Sequence, residues 1–356
     1  MVERDDPERF DDLLTREDVE RLLESGGLRS PAFRLVRSDA HLRASEFLVD
    51  VPWRPVPFTG MADVARAAAE FARGATLVVQ GMHHWWPALS EFCRSLDVEL
   101  GHPTQANAYY TPRSAQGLPV HHDTHDVFCL QLHGEKRWLV HEPLWELPLR
   151  DQRYGPELGE PGEPMLDVTL RPGDTLYLPR GWLHAATTSD TESLHLTVGV
   201  NVYTWLDAVK AAVDECASDV EFRRSAEGGD ARELVERLLS RLSDEDVQSR
   251  RRRKLVSTRR PILDGQLEQL RALETLDVDT ELERRPTAMV DVDGTTLRFD
   301  GKTLRFPERV REELEFVAGT DEPFTAADLP GSLDDSGRLV LVRRLVRDGL
   351  LRVTSI

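Results

Sequence analysis

Two histidines and an aspartate in the run Pro119-Val120-His121-His122-Asp123 are residue types that bind transition metals. Side chains two residues apart on a β-strand share a face, so His121 and Asp123 are predicted to point the same way and His122 the opposite way. A third ligand is available in His184, at the end of the run Pro179-Arg180-Gly181-Trp182-Leu183-His184. Two imidazoles and one carboxylate leave three adjacent positions of an octahedral ion open, which is typical of non-haem Fe(II). The sequence therefore predicts a mononuclear iron site.

The spacing before His184 supports this interpretation. Gly173, Pro179, Gly181 and His184 follow one another with five, one and two residues between them, which is the spacing of the second cupin motif. The Pro-Gly turn would reverse the chain so that the histidine points into a barrel. The alternative is a structural cluster of polar side chains, because an HxD tripeptide is common by chance.

Ten of the eleven histidines lie between His83 and His195, so the remaining ones have to be assigned as well. Strand alternation would put His125 on the face of His121, where we interpret it as a residue behind the ligands or facing solvent. The other histidines in this stretch are predicted to have no part in metal binding: His83, His84, His102, His122, His133 and His141.

Composition restricts the class of protein. The chain has 356 residues, of which 40% are hydrophobic and 30% charged, enough for two or three globular domains. A net charge of -18 argues against nucleic-acid binding and suits a basic partner, although a role in solubility explains it equally. Three dispersed cysteines without a CxxC motif indicate a reducing compartment. No apolar run is long enough to span a membrane and residues 1–6 do not resemble a signal peptide, so we expect a cytoplasmic protein without a membrane partner.

Apolar periodicity divides the chain into a mixed, a β-rich and a helical part. Helices are predicted at 7–26, 61–73 and 86–96, and strands at 33–36 and 75–79. The central block is predicted to form a sandwich or barrel of strands at 107–111, 121–132, 137–141, 167–170, 175–178, 184–188 and 193–203. The last third is predicted to contain helices at 207–222, 231–242 and 244–256, a hairpin at 289–299 and 303–306, helices near 308–317, 325–329 and 337–348, and a strand at 350–353.

Two features of the last third bear on partners. The run Arg250 to Lys254 is five consecutive cations, which we interpret as a solvated helix face, with contact to RNA or a partner as the alternative. Residues 287–356 resemble a winged helix but hold 10 Lys/Arg against 13 Asp/Glu, so an interaction role is favoured over DNA binding. The amphipathic helices between about 206 and 275 are predicted to mediate homodimerisation.

Several motifs together resemble the JmjC-type, cupin-fold 2-oxoglutarate oxygenases, and within them the bacterial ribosomal oxygenase branch. The resemblance rests on residues 107–112, 117–123, 128–138, 173–184 and 194–199. It implies an α+β chain with a double-stranded β-helix catalytic domain at 1–205, a helical dimerisation domain at 206–280 and a winged-helix-like domain at 281–356. It also implies Fe(II) at His121, Asp123 and His184, with 2-oxoglutarate and O2 as co-substrates.

The resemblance assigns further residues to the cofactor pocket. Lys136 occupies the place, fifteen positions after the first ligand, of the basic residue that holds the far carboxylate of 2-oxoglutarate. Asn107 matches a pocket asparagine, and His195 and Thr197 match strand positions that line the pocket. The implied activity is hydroxylation of an amino-acid side chain, with a basic segment of a ribosomal protein as the expected substrate.

Other functions remain open from the sequence alone. Hydroxylation of a small molecule or peptide natural product uses the same chemistry, as does demethylation of methyl-lysine, for which no aromatic cage is evident. A non-enzymatic metal-cupin scaffold would bind metal but would not need Lys136. A metal cupin such as an isomerase would bind metal and not the oxoacid.

Overall fold

A computed structural model describes residues 5–227 and 230–354 of the chain. The chain divides into two compact units, one formed by residues 1–96 and 104–202 and the other by 97–103 and 203–356. Residues 1–4, which belong to the segment predicted not to be a signal peptide, lie outside the described residues. The predicted boundary between residues 206–280 and 281–356 stays a prediction.

The first unit is built on eleven described strands. They are β1 (Phe33–Val36), β2 (Leu48–Val51), β3 (Phe58–Ala62), β4 (Thr76–Val79), β5 (Thr104–Thr111), β6 (Asp126–Gly134), β7 (Lys136–His141), β8 (Leu166–Leu170), β9 (Thr175–Leu178), β10 (Leu183–Thr187) and β11 (Ser193–Val200). All the pairings are antiparallel, in one sheet ordered β1-β4-β5-β11-β6-β9, a second ordered β10-β7-β8 and a hairpin of β2 and β3.

The two main sheets share an apolar interior, as expected of a sandwich. Val127 and Cys129 of β6 and Leu176 of β9 belong to the same buried cluster as Trp138 and Val140 of β7. Alternate residues of each strand therefore face inward, and the same alternation can place polar side chains inside the barrel at chosen positions. The predicted β-rich block of short strands is confirmed, and its strands form two antiparallel sheets packed face to face.

Three helices accompany these strands: α1 (Arg16–Glu24), α2 (Val64–Ala72) and α3 (Pro87–Leu100), whose last residues belong to the second unit. The predicted helix at 7–26 was wrong at its start, because the capping box of Thr15 and Asp18 begins the helix at Arg16. The predicted helix at 61–73 was also too long, since Asp63 caps α2 and the residues before it belong to β3. Apolar residues on an adjoining strand extend an apparent helical pattern.

The second unit has six described helices and six strands. They are α4 (Trp205–Cys216), α5 (Ala231–Leu239), α6 (Asp244–Thr258), α7 (Gln266–Ala272), β12 (Glu281–Arg284), β13 (Val290–Asp293), β14 (Thr296–Phe299), β15 (Lys302–Arg305), α8 (Arg311–Gly319), β16 (Phe324–Thr325), α9 (Asp335–Asp348) and β17 (Leu351–Val353). The first strand of the predicted hairpin, at 289–299, is two strands in the structure, because Gly294 turns the chain between β13 and β14 with φ +59°. The predicted helix near 325–329 is a short 3-10 turn at Ala326–Asp328.

The basic run on α6 is not a fully solvated face. Arg250 is buried and binds both carboxylate oxygens of Glu215, at 3.0 and 2.7 Å. Arg252 Nη2 donates to the Val290 carbonyl at 2.8 Å. These contacts lie within the second unit and tie α6 to α4 and β13, so part of the run has a structural role.

Cys93, Cys129 and Cys216 are all buried and unbonded to one another. Among the described residues, no helix is long and apolar enough to cross a membrane.

Candidate functional site

His121, Asp123 and His184 lie together in the first unit. One ligand atom from each lies within 4.8 Å of the other two, and this is the group of metal-binding side chains found among the described residues. His184 Nε2 is 3.8 Å from Asp123 Oδ2, and the two imidazole rings are 4.4 Å apart between centroids. The structure therefore brings the three predicted ligands together, and their binding of a metal stays a prediction.

The backbone brings the ligands together by an isolated pair of hydrogen bonds. His121 N donates to His184 O at 3.1 Å and His184 N donates to His121 O at 2.8 Å. Gly181 N donates to Asp123 O at 3.0 Å, which fixes the second ligand as well. The predicted strand at 121–132 was wrong here, because β6 begins at Asp126 and the ligands precede it.

Both histidines are oriented by their own backbone. Nδ1 of His121 donates to the Pro119 carbonyl at 2.9 Å, and Nδ1 of His184 donates to the Trp182 carbonyl at 3.0 Å. Since a carbonyl can only accept, the proton lies on Nδ1 and each Nε2 presents a lone pair toward the cluster. Burial, and then the neighbouring His121, lower the pKa of His184 to about 4, which keeps that ring neutral as a ligand at neutral pH.

These observations fit a divalent metal with one open side. Two neutral imidazoles with the same tautomer and one carboxylate suit Fe(II) and related ions. Asp123 retains 33% exposure of its side chain, whereas that of His184 is 7% exposed. The cluster is therefore closed behind His184 and open on the side of Asp123.

A buried lysine lies in the same cavity. Lys136 is 4% exposed and its Nζ donates to Thr111 Oγ1 at 2.8 Å, and Thr111 in turn is 3.0 Å from Thr76 Oγ1. Among the described residues no carboxylate lies within ion-pair distance of this amine. Burial lowers the pKa of Lys136 to about 7. A cation without a counter-ion is costly to bury, so this site is suited to an anionic ligand.

Aromatic and polar side chains complete the cavity. The His195 ring stacks on Tyr109 with centroids 5.1 Å apart, and meets the Trp138 ring edge-on at 5.4 Å. Thr197 also lines the cavity. Burial, followed by the charge of Lys136, holds the pKa of His195 well below its usual value. The lining side chains are therefore uncharged at neutral pH apart from Lys136 and the predicted metal ligands.

Two other residues that the sequence singled out lie outside the cavity wall. Asn107 is not among the described residues that line the cavity, and its Oδ1 accepts from Gly81 N at 2.9 Å. Its role in cofactor binding stays a prediction. His125 lies outside the cavity wall and approaches Gln105 at 3.2 Å, because the backbone at 121–125 does not alternate as a strand. His122 is buried on the far side and donates from Nε2 to the Gln152 carbonyl at 3.0 Å.

The sequence assigned no role to Thr111, Tyr109 or Trp138. Strand alternation carries the signal that would have found them, since Tyr109 and Thr111 share the face of Asn107 on β5 and Trp138 shares that of Lys136 on β7. Thr76 is not detectable in this way, because it reaches the cavity from a strand in which all four residues are buried.

The model of the JmjC domain family matches residues 86–208, a range that includes all three ligands and Lys136. This match covers 123 of the 356 residues. Human ribosomal oxygenase 1 is 30% identical over 242 residues, which cover 63% of this chain and 35% of that protein. The bifunctional lysine-specific demethylase and histidyl-hydroxylase NO66 of Dictyostelium discoideum is 40% identical over 147 residues, covering 37% and 28%.

The chain also shares its fold with a solved bacterial protein. The crystal structure of Escherichia coli ribosomal oxygenase YcfD matches with a TM-score of 0.55 and 19% identity over 96% of this chain and 90% of that one. A structure of YcfD in complex with cobalt and 2-oxoglutarate matches with a TM-score of 0.53, 19% identity and coverages of 96% and 91%. Against the curated relatives the chain spans between 14% and 38% of their length.

The geometry predicts that replacing Asp123 with alanine weakens Co(II) binding at least about 100-fold, because a ligand is lost and the two imidazoles remain. Isothermal titration calorimetry on the full chain would measure the dissociation constant. His133→Ala is the matched control, since this histidine lies on β6 near Glu192, outside the cluster. Equal affinities of the two variants would contradict the assignment.

Proposed function

We propose that this chain is an Fe(II)- and 2-oxoglutarate-dependent oxygenase that hydroxylates an amino-acid side chain of a protein. The single observation that carries the proposal is the buried Lys136, which has no carboxylate partner among the described residues and lies in the cavity that also holds the triad. A metal site alone would suit a cupin isomerase or a scaffold. A second, cationic anchor in the same cavity suits a ligand that has one carboxylate at the metal and another farther away.

In the proposed reaction each group has a separate task. His121, Asp123 and His184 would hold Fe(II), and the metal with 2-oxoglutarate and O2 would supply the chemistry that converts C–H to C–OH while the oxoacid becomes succinate and CO2. Lys136 and Thr111 would bind the distal carboxylate. The rings of Tyr109, Trp138 and His195 would exclude water from the bound oxoacid, which strengthens the lysine contact.

The other assigned pocket residues would act as neighbours of the oxoacid. Thr197 and Tyr109 both line the cavity and would contact the bound oxoacid. His195, whose Nδ1 has no hydrogen-bond partner in the described part of the chain, would offer that atom to the bound oxoacid. Asn107 would act indirectly by fixing the backbone at Gly81.

The names of the relatives support a ribosomal protein as substrate. Ribosomal oxygenases recur among the sequence relatives and as the solved structure with the same fold along nearly the whole chain. The net charge of -18 suits a basic partner such as a ribosomal protein segment. A substrate on the ribosome would place the enzyme in the cytoplasm.

We also propose a homodimer that forms through α4 and α5. Helix α4 buries Ala208, Ala212 and Cys216 on one face. Beside this buried stripe, the helix exposes apolar residues at helical spacing: Trp205, Val209 and Val213. Helix α5 adds exposed Val235 and Leu239. The C-terminal part, 281–356, would be a winged-helix-like interaction domain, because its charge is slightly acidic.

The oxygenase proposal predicts Fe(II)-dependent consumption of 2-oxoglutarate by the wild-type chain, none by His121→Ala and at least about tenfold weaker oxoacid binding by Lys136→Ala. Succinate formation measured by NMR is the readout, and His133→Ala is the control. Metal binding without any 2-oxoglutarate binding would instead support the isomerase or scaffold alternatives.

The buried amine also predicts a pH dependence. With a pKa of about 7, Lys136 loses its proton as the pH rises above neutrality, whereas the bound carboxylate requires the ammonium form. The dissociation constant for 2-oxoglutarate should therefore rise by about tenfold per pH unit above pH 7, until the pKa of the complex is reached. Calorimetry on the Co(II)-loaded protein would also register the uptake of a proton. In Lys136→Arg the slope should vanish, and an equal slope in both proteins would contradict this origin.

Incubation with purified ribosomal proteins, Fe(II) and 2-oxoglutarate should add the mass of one oxygen atom to a single side chain of one of them. Intact-mass and peptide mass spectrometry would detect the product, with His121→Ala as the control. Oxoacid turnover without oxidation of any ribosomal protein would support the oxygenase proposal and contradict the proposal that its substrate is a ribosomal protein.

The dimer predicts twice the chain mass of 40.3 kDa in light scattering at micromolar concentration. Val209→Asp with Val213→Asp should give the monomer mass, because a charge on each exposed position opposes burial of that face. A monomeric wild-type chain would rule the dimer out.

A further inference from the structure

We infer that residues 142–165, which connect β7 to β8 and are called the rim loop below, capture a basic, apolar-bearing segment of the protein substrate. The inference rests on the proposed function and names the surface that selects its substrate. The loop is unusually long for a connection within a compact domain, and such loops commonly have a functional role.

The rim loop lies against both ligand-bearing segments. A Cβ on Gly181 would come within 2.7 Å of the Trp145 carbonyl and 2.8 Å of Pro148 Cδ, so the loop packs on the turn that leads to His184. The Gln152 carbonyl accepts from Nε2 of His122, the residue between His121 and Asp123 in the sequence. A segment bound to this loop would therefore be held beside the metal site.

The loop is held in place by its own hydrogen bonds and by those to β7. Leu149 N donates to Gln152 Oε1 at 2.8 Å, and Gln152 N donates to the Leu149 carbonyl at 2.9 Å. His141 Nδ1 donates to the Gly162 carbonyl at 2.7 Å, and Met165 N donates to Val140 O at 2.8 Å. The surface is thus preformed, which reduces the entropy cost of binding a partner.

Apolar side chains are exposed on this preformed loop. Leu144 and Trp145 are 41% and 40% exposed, and Leu147 and Met165 are 62% and 61% exposed. Leu147 also has φ +46°, a left-handed conformation that is unfavourable for leucine. An exposed leucine in a strained conformation gains nothing from packing, so a contact with a partner is the better explanation.

The charge of the loop specifies the partner. Six of its side chains are exposed carboxylates and two are arginines, which gives a net charge of -4. None of these eight charged groups forms an ion pair within the described residues. Nucleic acid and anionic lipid would be repelled, and a second copy of this chain also carries a charge of -18. A basic protein segment with apolar residues complements both the charge and the exposed apolar side chains.

Binding can be tested without catalysis. The probe is a fluorescein-labelled peptide of alternating arginine and leucine, titrated with the full chain at low ionic strength and followed by anisotropy. Trp145→Ser with Leu147→Ser should weaken binding by about tenfold or more, whereas Trp53→Ser with Val56→Ser, on more exposed residues of the β2–β3 hairpin, should not. Circular dichroism of each variant verifies folding.

A second pair of variants tests the carboxylates of the rim loop. Glu146→Gln with Glu163→Gln should weaken peptide binding and reduce its dependence on salt. The control, Glu24→Gln with Glu91→Gln, removes two exposed carboxylates elsewhere and should have neither effect. No binding by wild type, or equal binding by all four variants, would overturn the inference.

A photo-crosslinker in place of Leu147 connects the loop to the substrate. Irradiated with ribosomal proteins, it should label the same segment that gains an oxygen atom, whereas a crosslinker at Val56 should not. Labelling of a second copy of this chain, or of ribosomal RNA when intact ribosomes are used, would overturn the inference. The proposed function is judged separately by 2-oxoglutarate consumption in the wild type, which can succeed while the rim loop fails.

Discussion

The site depends on the reciprocal backbone hydrogen bonds between His121 and His184. These residues lie 63 positions apart, in a segment before β6 and on β10 of the other sheet, and neither segment would converge on a metal without this pair. These bonds fix the backbone at both residues. The direction of each imidazole is fixed separately, because its Nδ1 donates to a carbonyl two residues earlier in its own segment. Ligand geometry is therefore set by the backbone before any metal binds, which is the preorganisation that a reactive centre requires.

Close packing around that pair explains the residues of the second motif. Gly181 has φ +90°, and a side chain there would collide with the rim loop at Trp145 and Pro148. The glycine therefore serves two purposes, the reversal of the chain before His184 and the approach of the rim loop to the metal ligands. One substitution at this position would disturb both the ligand and the surface that we assign to the substrate.

Sequence reasoning found the chemistry more readily than the backbone that supports it. The spacing from Gly173 to His184 and the pair His121 and Asp123 were sufficient to predict the triad, because motif spacing reports a turn of defined geometry. The predicted strand start was wrong, since residues 121–125 precede β6 and are held by an isolated bridge that leaves no local pattern. His121 and Asp123 nevertheless share a side, and His122 turns away to bond the Gln152 carbonyl. Helix starts failed where a cap, such as Thr15, overrides apolar periodicity.

Lys136 shows why the cavity is better explained by a ligand than by folding alone. Lowering its pKa from 10.5 to about 7 corresponds to a cost on the order of 5 kcal/mol for burying the charged form, and that cost is fully present below pH 7 and disappears as the pH approaches 10.5. A carboxylate from the chain would have relieved it, yet the nearest partner is the hydroxyl of Thr111. A resident counter-ion would also have to be displaced by an incoming dicarboxylate. Without a counter-ion from the described residues, the buried amine makes the ligand-free site less stable. A bound anion would supply the missing electrostatic contact. Ligand binding and the stability of this part of the barrel should therefore be coupled.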